Sequence, residues 1–149
     1  MSRIDSRHLG LVMFGLGLAA LIAAPFARPA AVAQPAPAAT RFFELRTYHA
    51  AEGKLDALHA RFRDHTNALF TKHGITMIGY WTPADGDAAK KTLVYILAYP
   101  SREAREASWK AFQADPDWVK AKTESEVNGK LVDKVDSVYL NPTDYSPLK

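Results

Sequence analysis

Apolar and polar residues alternate over Phe42–His49 (FFELRTYH), and this aromatic-rich run with a period of two predicts a strand. After Glu52-Gly53 the period lengthens. Leu55, Leu58, Phe62, His65 and Leu69 recur at three- and four-residue steps, the stripe of one helix face, and Gly74 stops the helix as its C′ residue. Ile75–Thr82 (ITMIGYWT) and Thr92–Tyr99 (TLVYILAY) are β-branched and aromatic. The segment between them, PADGDAAK, carries the turn pair Asp85-Gly86, so the two runs predict a hairpin. Pro100-Ser101 starts a second helix with Ser101 as N-cap, and Ala104 at the third position leaves the capping box incomplete. At Asp115-Pro116 that helix is bent or split, because Asp caps and Pro takes the first position of a further helical segment to about Val127. Asn128-Gly129 ends it, and Leu131–Leu140 (LVDKVDSVYL) alternates as a last strand. The order β-α-β-β-α-β predicts an α+β, ferredoxin-like fold, with an antiparallel four-stranded sheet and both helices on one face.

The two faces of that sheet do not differ in the ordinary way. On the third strand Leu93, Tyr95, Leu97 and Tyr99 alternate with Thr92, Val94, Ile96 and Ala98; on the second, Met77, Gly79 and Trp81 alternate with Ile78 and Tyr80. Both sets are apolar. Two helices cover only one face, so the pattern predicts a second copy of the chain packed on the other as a two-fold homodimer; the alternative is that the tyrosines sit at the water boundary.

Upstream, residues 1–8 carry Arg3 and Arg7, residues 9–24 are apolar or glycine, Pro25 breaks the run, and Ala31-Val32-Ala33 offers small residues at −3 and −1. This is the layout of a secretory signal peptide over 1–33, with an uncleaved membrane anchor as the alternative. QPAPAAT at 34–40 reads as an extended linker, which leaves the folded domain to 41–149. The expected location is periplasmic or secreted, off the membrane once the signal is cut.

Composition narrows the chemistry further. The chain has 149 residues, 48% hydrophobic and 23% charged, enough for one domain with a real core. Its formal net charge is +3, from 19 basic and 16 acidic residues; removing Arg3, Arg7, Arg28 and Asp5 leaves 16 against 15, or +1. That balance gives no electrostatic footprint for nucleic acid. Cysteine is absent, which excludes disulfide scaffolds, thiolate metal sites and cysteine nucleophiles together.

Several separated motifs now fall in order: ELRTY at Glu44–Tyr48, GKL at Gly53–Leu55, KHG at Lys72–Gly74, Gly79 before Trp81, and LVYILAY at Leu93–Tyr99. They are followed by Arg105, Glu106, Ala107, Trp109, Phe112, Ala114, Asp115, Pro116 and Trp118, and by DYSPL at Asp144–Leu148. Together these resemble the NIPSNAP family over essentially all of 41–149. The resemblance implies the fold of the dimeric α+β barrel proteins and a homodimer, while the family's own biochemical activity is poorly defined. Members are discussed around mitochondrial and vesicular roles in animals, from which an export signal departs. Related barrel proteins include haem binders with a histidine on the second helix; Ser101–Val127 contains none, so no haem ligand carries over and no cofactor is expected.

Glu44, Arg46 and Tyr48 share one face of the first strand. They form either an ion pair that locks the sheet or a site in which Arg46 holds an anion while Tyr48 donates a hydrogen bond. His49, His59, His65 and His73 make no metal-ligand spacing, so no metal site is expected. His65 is placed at the margin of the helix face that meets the sheet, as a buried structural histidine or a general base. Trp109, Phe112 and Trp118 cluster around the bent helix, with Arg105 four residues before Trp109 and within reach for stacking. Aromatics at this spacing are ordinarily core, yet the bend predicts an apolar gap between helix and sheet, lined by Trp81, Tyr95 or Tyr99 from the strands and by Trp109.

The expectation is a homodimeric binding module for a protein or a hydrophobic or anionic small molecule. One alternative is a cofactor-free oxygenase or isomerase in which His65 or Tyr48 moves a proton in a buried pocket. A purely structural interaction protein is another. A cleft separates the first two from the third.

Overall fold

The computed structural model describes residues 40–149, so the expected signal peptide over 1–33 and all of the linker except Thr40 lie outside the described residues. The domain comprises β1 (Phe42–Ala50), α1 (Leu55–Arg61), a π-helical turn (Phe62–Thr66), α2 (Asn67–Lys72), β2 (Thr76–Trp81), a 3-10 turn (Asp87–Lys90), β3 (Thr92–Tyr99), α3 (Arg102–Ala114), α4 (Pro116–Ser125) and β4 (Val132–Leu140). The strands lie in the order β2-β3-β1-β4, all neighbours antiparallel. This is the expected α+β, ferredoxin-like arrangement. Among the described residues no helix is long and apolar enough to cross a membrane.

Local signals in the chain account for the punctuation. Ser101 accepts a hydrogen bond from the Ala104 amide at the start of α3, and Asp115 accepts one from the Asp117 amide with Pro116 at the first position of α4. The predicted bend is thus two capped helices. Gly74, at φ +71°, takes the left-handed conformation that closes α2, and the Ile75 amide reaches back to the Phe70 carbonyl at 2.9 Å.

The core lies between the helices and one sheet face. Leu58, Phe62, Leu69 and Phe70 meet Leu93, Tyr95, Leu97 and Tyr99 of β3, with Trp109 and Phe112 closing the other side. Phe62 stands edge-on to Phe70 and Tyr95, and Phe70 edge-on to Trp109 and Phe112, the T-shaped geometry in which aromatic rings attract beyond their area.

Two one-residue insertions shift what simple periodicity predicts. The π turn adds a residue to the first helix: the Asn67 amide bonds to the Phe62 carbonyl and the Thr66 hydroxyl to the Arg61 carbonyl. Thr66 therefore takes the buried position and His65 is exposed, a correction to the expected margin site. In β2 the register slips between Met77 and Gly79, so Ile78 is an extra residue in a β-bulge. Past the bulge the faces are exchanged. Tyr80 joins Met77 against the core, whereas Gly79 and Trp81 turn to the face without helices, and Trp81 is 51% exposed.

That open face carries Leu45, Val94, Ile96, Val138, Leu140 and Trp81. Val138 is as wet as Trp81, at 51% exposure, and Leu140 is exposed to a lesser degree. At its other end stand His49, Lys134 and Asp136: the Asp136 carboxylate pairs with Lys134 at 2.8 Å and lies within hydrogen-bond distance of the His49 imidazole, also at 2.8 Å.

Candidate functional site

The register of β1 sets Glu44 between Leu97 and Tyr139, Arg46 between Tyr95 and Ser137, and Tyr48 between Leu93 and Val135, all three under the helices. Glu44 is completely buried. Its carboxylate gathers partners from three other elements. Arg105 of α3 grips it with two parallel bonds, Nε to Oε2 at 2.9 Å and Nη2 to Oε1 at 2.8 Å. Arg46 donates from Nη1 at 2.6 Å, Ser137 of β4 from its hydroxyl at 2.5 Å, Trp109 from Nε1 at 3.2 Å and Tyr99 from its hydroxyl at 3.3 Å. A buried carboxylate needs such compensation, since its desolvation otherwise costs several kcal/mol. Burial alone pushes the Glu44 carboxyl up, but the bonds from Arg105, Ser137 and Arg46 bring it down to about 2.

Arg46 turns the network toward open space. Its Nε donates to the Tyr95 hydroxyl at 3.0 Å, its Nη2 makes only a long 3.5 Å contact to the Tyr48 hydroxyl, and its guanidinium lies 4.3 Å from the centre of the Trp109 ring. Burial opposes its charge, yet the phenols of Tyr95 and Tyr48 and the Glu44 carboxylate hold it protonated beyond its ordinary range. Burial also raises the hydroxyls of Tyr95, Tyr80 and Tyr99, with Tyr48 adding to the first two and the Glu44 charge to the last.

Beside this network opens a cleft of about 750 Å³ between the helices and the β4 side of the sheet. Arg46 and Tyr48 line it from β1; Phe62, Phe70, Trp109, Phe112 and Trp118 form its aromatic walls, and Arg61 and Lys122 are its cationic members on the helices. The volume is in the range of small-molecule sites, and the lining mixes an aromatic side with a charged one, where Arg61, Lys122, Glu126, Lys130, Asp133 and Lys134 stand. Arg46 and Trp109 also line a neighbouring depression of about 630 Å³ with Arg105 and Gln113.

The residues named from the sequence divide accordingly. Arg46, Tyr48 and Trp109 line the cleft, and Glu44 anchors them from beneath. Tyr95 and Tyr99 are wholly buried and act as hydrogen-bond partners, not as lining. Trp81 is on the far side of the sheet, and His65 belongs to a shallow groove between α1 and α4 with Ala57, Ala60 and Ala121. Neither reaches the cleft, for the bulge and the π turn move each off its expected face. Among the described residues no group of three or more His, Asp or Glu is placed to hold a metal ion. Sequence reasoning missed Arg61 and Ser137 and the grip of Arg105 on Glu44. Only the last left a trace, in the four-residue step from Arg105 to Trp109 that puts both on one helix face.

The antiparallel four-stranded sheet backed by helices is the ferredoxin-like fold that the solved structures similar to this chain share. The NIPSNAP family model matches residues 43–147, and the chain belongs to that family. A NIPSNAP family protein of unknown function from Agrobacterium tumefaciens superposes with a TM-score of 0.64 at 23% identity, covering 76% of this chain and 97% of its own. An uncharacterised NIPSNAP domain protein from Burkholderia xenovorans gives 0.60 at 25% identity, over 71% of this chain and 98% of its own. A candidate antibiotic biosynthesis monooxygenase from Nitrosomonas europaea shares the fold, with a TM-score of 0.52 at 12% identity over 73% and 94% of the two chains. No curated protein matches the sequence.

Proposed function

We propose that this chain is an exported homodimeric module that binds a small molecule in the cleft between its helices and its sheet. The observation that carries the reading is the cleft itself, with five aromatic rings in its walls and Arg46 at its floor. Binding is favoured over proton transfer by the state of the polar groups nearby. Glu44 is held ionised by two arginines, the buried tyrosine hydroxyls are pushed further from ionisation, and Arg46 keeps its charge, so none of these groups exchanges a proton near neutral pH. His65, the histidine of that alternative, faces away.

The dimer is supported by the open sheet face. Val94, Ile96 and Val138 form a hydrophobic surface there that a single chain leaves to water, and a second sheet packed face to face would remove it. Export rests on the apolar leader before Ala33. The full-length gene, expressed in a Gram-negative host, tests all three parts. Native mass spectrometry of the periplasmic fraction is expected to give a dimer whose chains begin at Gln34, with a mass excess that is lost on denaturation. A monomer without added mass overturns the binding and dimer readings, and retention of residues 1–33 overturns processing.

A further inference from the structure

Arg61 is a buried arginine with half of its fork unused. Its side chain is 4% exposed, and Nη1 serves both the Glu126 carboxylate at 2.9 Å and the Ser125 hydroxyl at 3.3 Å. The Nε atom, by contrast, is the one buried side-chain nitrogen or oxygen among the described residues that has no hydrogen-bond partner. An unmet donor of this kind costs free energy that native proteins rarely leave uncompensated. Arg61 is also part of the cleft wall, with its guanidinium 5.3 Å from the centre of the Trp118 ring.

The same molecule shows what this edge of an arginine takes. In Arg105 the Nε–Nη2 edge is filled by the two oxygens of Glu44. In Arg61 that edge meets no carboxylate among the described residues. The charges lining the cleft do not fill the gap: Glu126 already faces Nη1 of Arg61, Lys130 pairs with Asp133 at 3.0 Å, Lys134 pairs with Asp136, and Lys122 adds a further positive charge. Arg46 and Arg105 together exceed the single charge of Glu44.

We infer that the molecule bound in the cleft is an amphipathic organic acid, whose carboxylate takes the free Nε–Nη2 edge of Arg61 and whose flat apolar body lies against Trp118, Phe112 and Phe62. This rests on the cleft being a small-molecule site and adds the chemical class of its occupant. A bidentate carboxylate satisfies the orphaned donor with the geometry the planar fork prefers, while the rings provide the apolar contact area.

Two probes of equal shape separate the two readings: 2-naphthoate and its neutral counterpart 2-naphthalenemethanol, titrated by calorimetry into protein purified from the full-length gene. The acid is expected to bind more tightly than the alcohol by about tenfold or more, the discrimination given by a charge-assisted hydrogen-bond pair. Arg61→Gln is expected to erase that preference, bringing the acid's affinity down to the level of the alcohol's. Because Arg61 is buried and its loss could disturb folding, Glu126→Gln is the second arm: removing the competing charge should widen the preference for the acid over the alcohol several-fold. Equal binding of the two probes, or an acid affinity that neither variant moves, overturns the inference and leaves the cleft a neutral apolar site. Binding of neither probe overturns the small-molecule reading and this inference with it.

Discussion

Replacing Glu44 by Gln keeps the shape of the side chain and removes one charge from beneath two arginines. The magnitude follows from proton linkage. Glu44 falls from its ordinary 4.5 to about 2 in the folded protein. That difference is equivalent to about 3 kcal/mol, at the lower end of the ~3–5 kcal/mol that loss of one partner of a buried ion pair costs. Water in the adjoining cleft screens Arg46, which brings the expected loss at pH 7 to about 2–3 kcal/mol. The folded value lies below the unfolded one, so the stabilisation is complete above pH 4.5 and is lost as pH falls toward 2. At low pH the wild-type side chain is itself a neutral isostere of Gln. Urea unfolding followed by tryptophan fluorescence, run on both proteins from pH 7 to pH 2, reads the difference directly. The gap should narrow to less than about 1 kcal/mol near pH 2. A gap that does not change with pH, or an E44Q protein as stable as wild type at pH 7, would refute the charge-hub reasoning.

Other consequences are equally open to measurement. A Cβ at Gly79 would stand 2.7 Å from the Trp81 ring, so Gly79→Ala should swing that ring off the strand and shift tryptophan emission to longer wavelength with the far-UV circular dichroism unchanged; unaltered emission counts against the packing described. Val138→Asp, at an exposed position of the open sheet face, should convert the proposed dimer to a folded monomer in sedimentation, and a persistent dimer would place the interface elsewhere. Asp115 is held below its ordinary 3.8 chiefly by Lys72, then by His73 and the Asp117 amide. Asp115→Asn should therefore lower the thermal midpoint at pH 7, with the difference closing as the pH falls below 3.8; equal midpoints at pH 7 would show that the charge contributes nothing.

The architecture was legible because its signals are local. Alternation in β1, β3 and β4, the Asp115-Pro116 bend and the Ser101 cap each depend on a few adjacent residues. Trp81 and His65 depart from their expected faces for one physical reason: a regular period places both, and a single inserted residue, Ile78 in the bulge or the extra position of the π turn, inverts or rotates everything beyond it. Nothing in the surrounding sequence marks either insertion. The site was half legible for a related reason. That Glu44, Arg46 and Tyr48 share a face follows from strand geometry, whereas Arg105, Trp109 and Ser137 reach Glu44 across 61, 65 and 93 positions of chain, a convergence set by tertiary packing alone.

The three tryptophans allow the account's central claim to be tested in one spectrum. Trp109 and Trp118 line the cleft, and Trp81 lies on the opposite face of the sheet. In a nitrogen-15 correlation spectrum titrated with 2-naphthoate, the indole signals of Trp109 and Trp118 should move together and saturably while that of Trp81 stays in place. Movement of Trp81 alone, or no movement of any indole signal, would contradict a ligand site between the helices and the sheet.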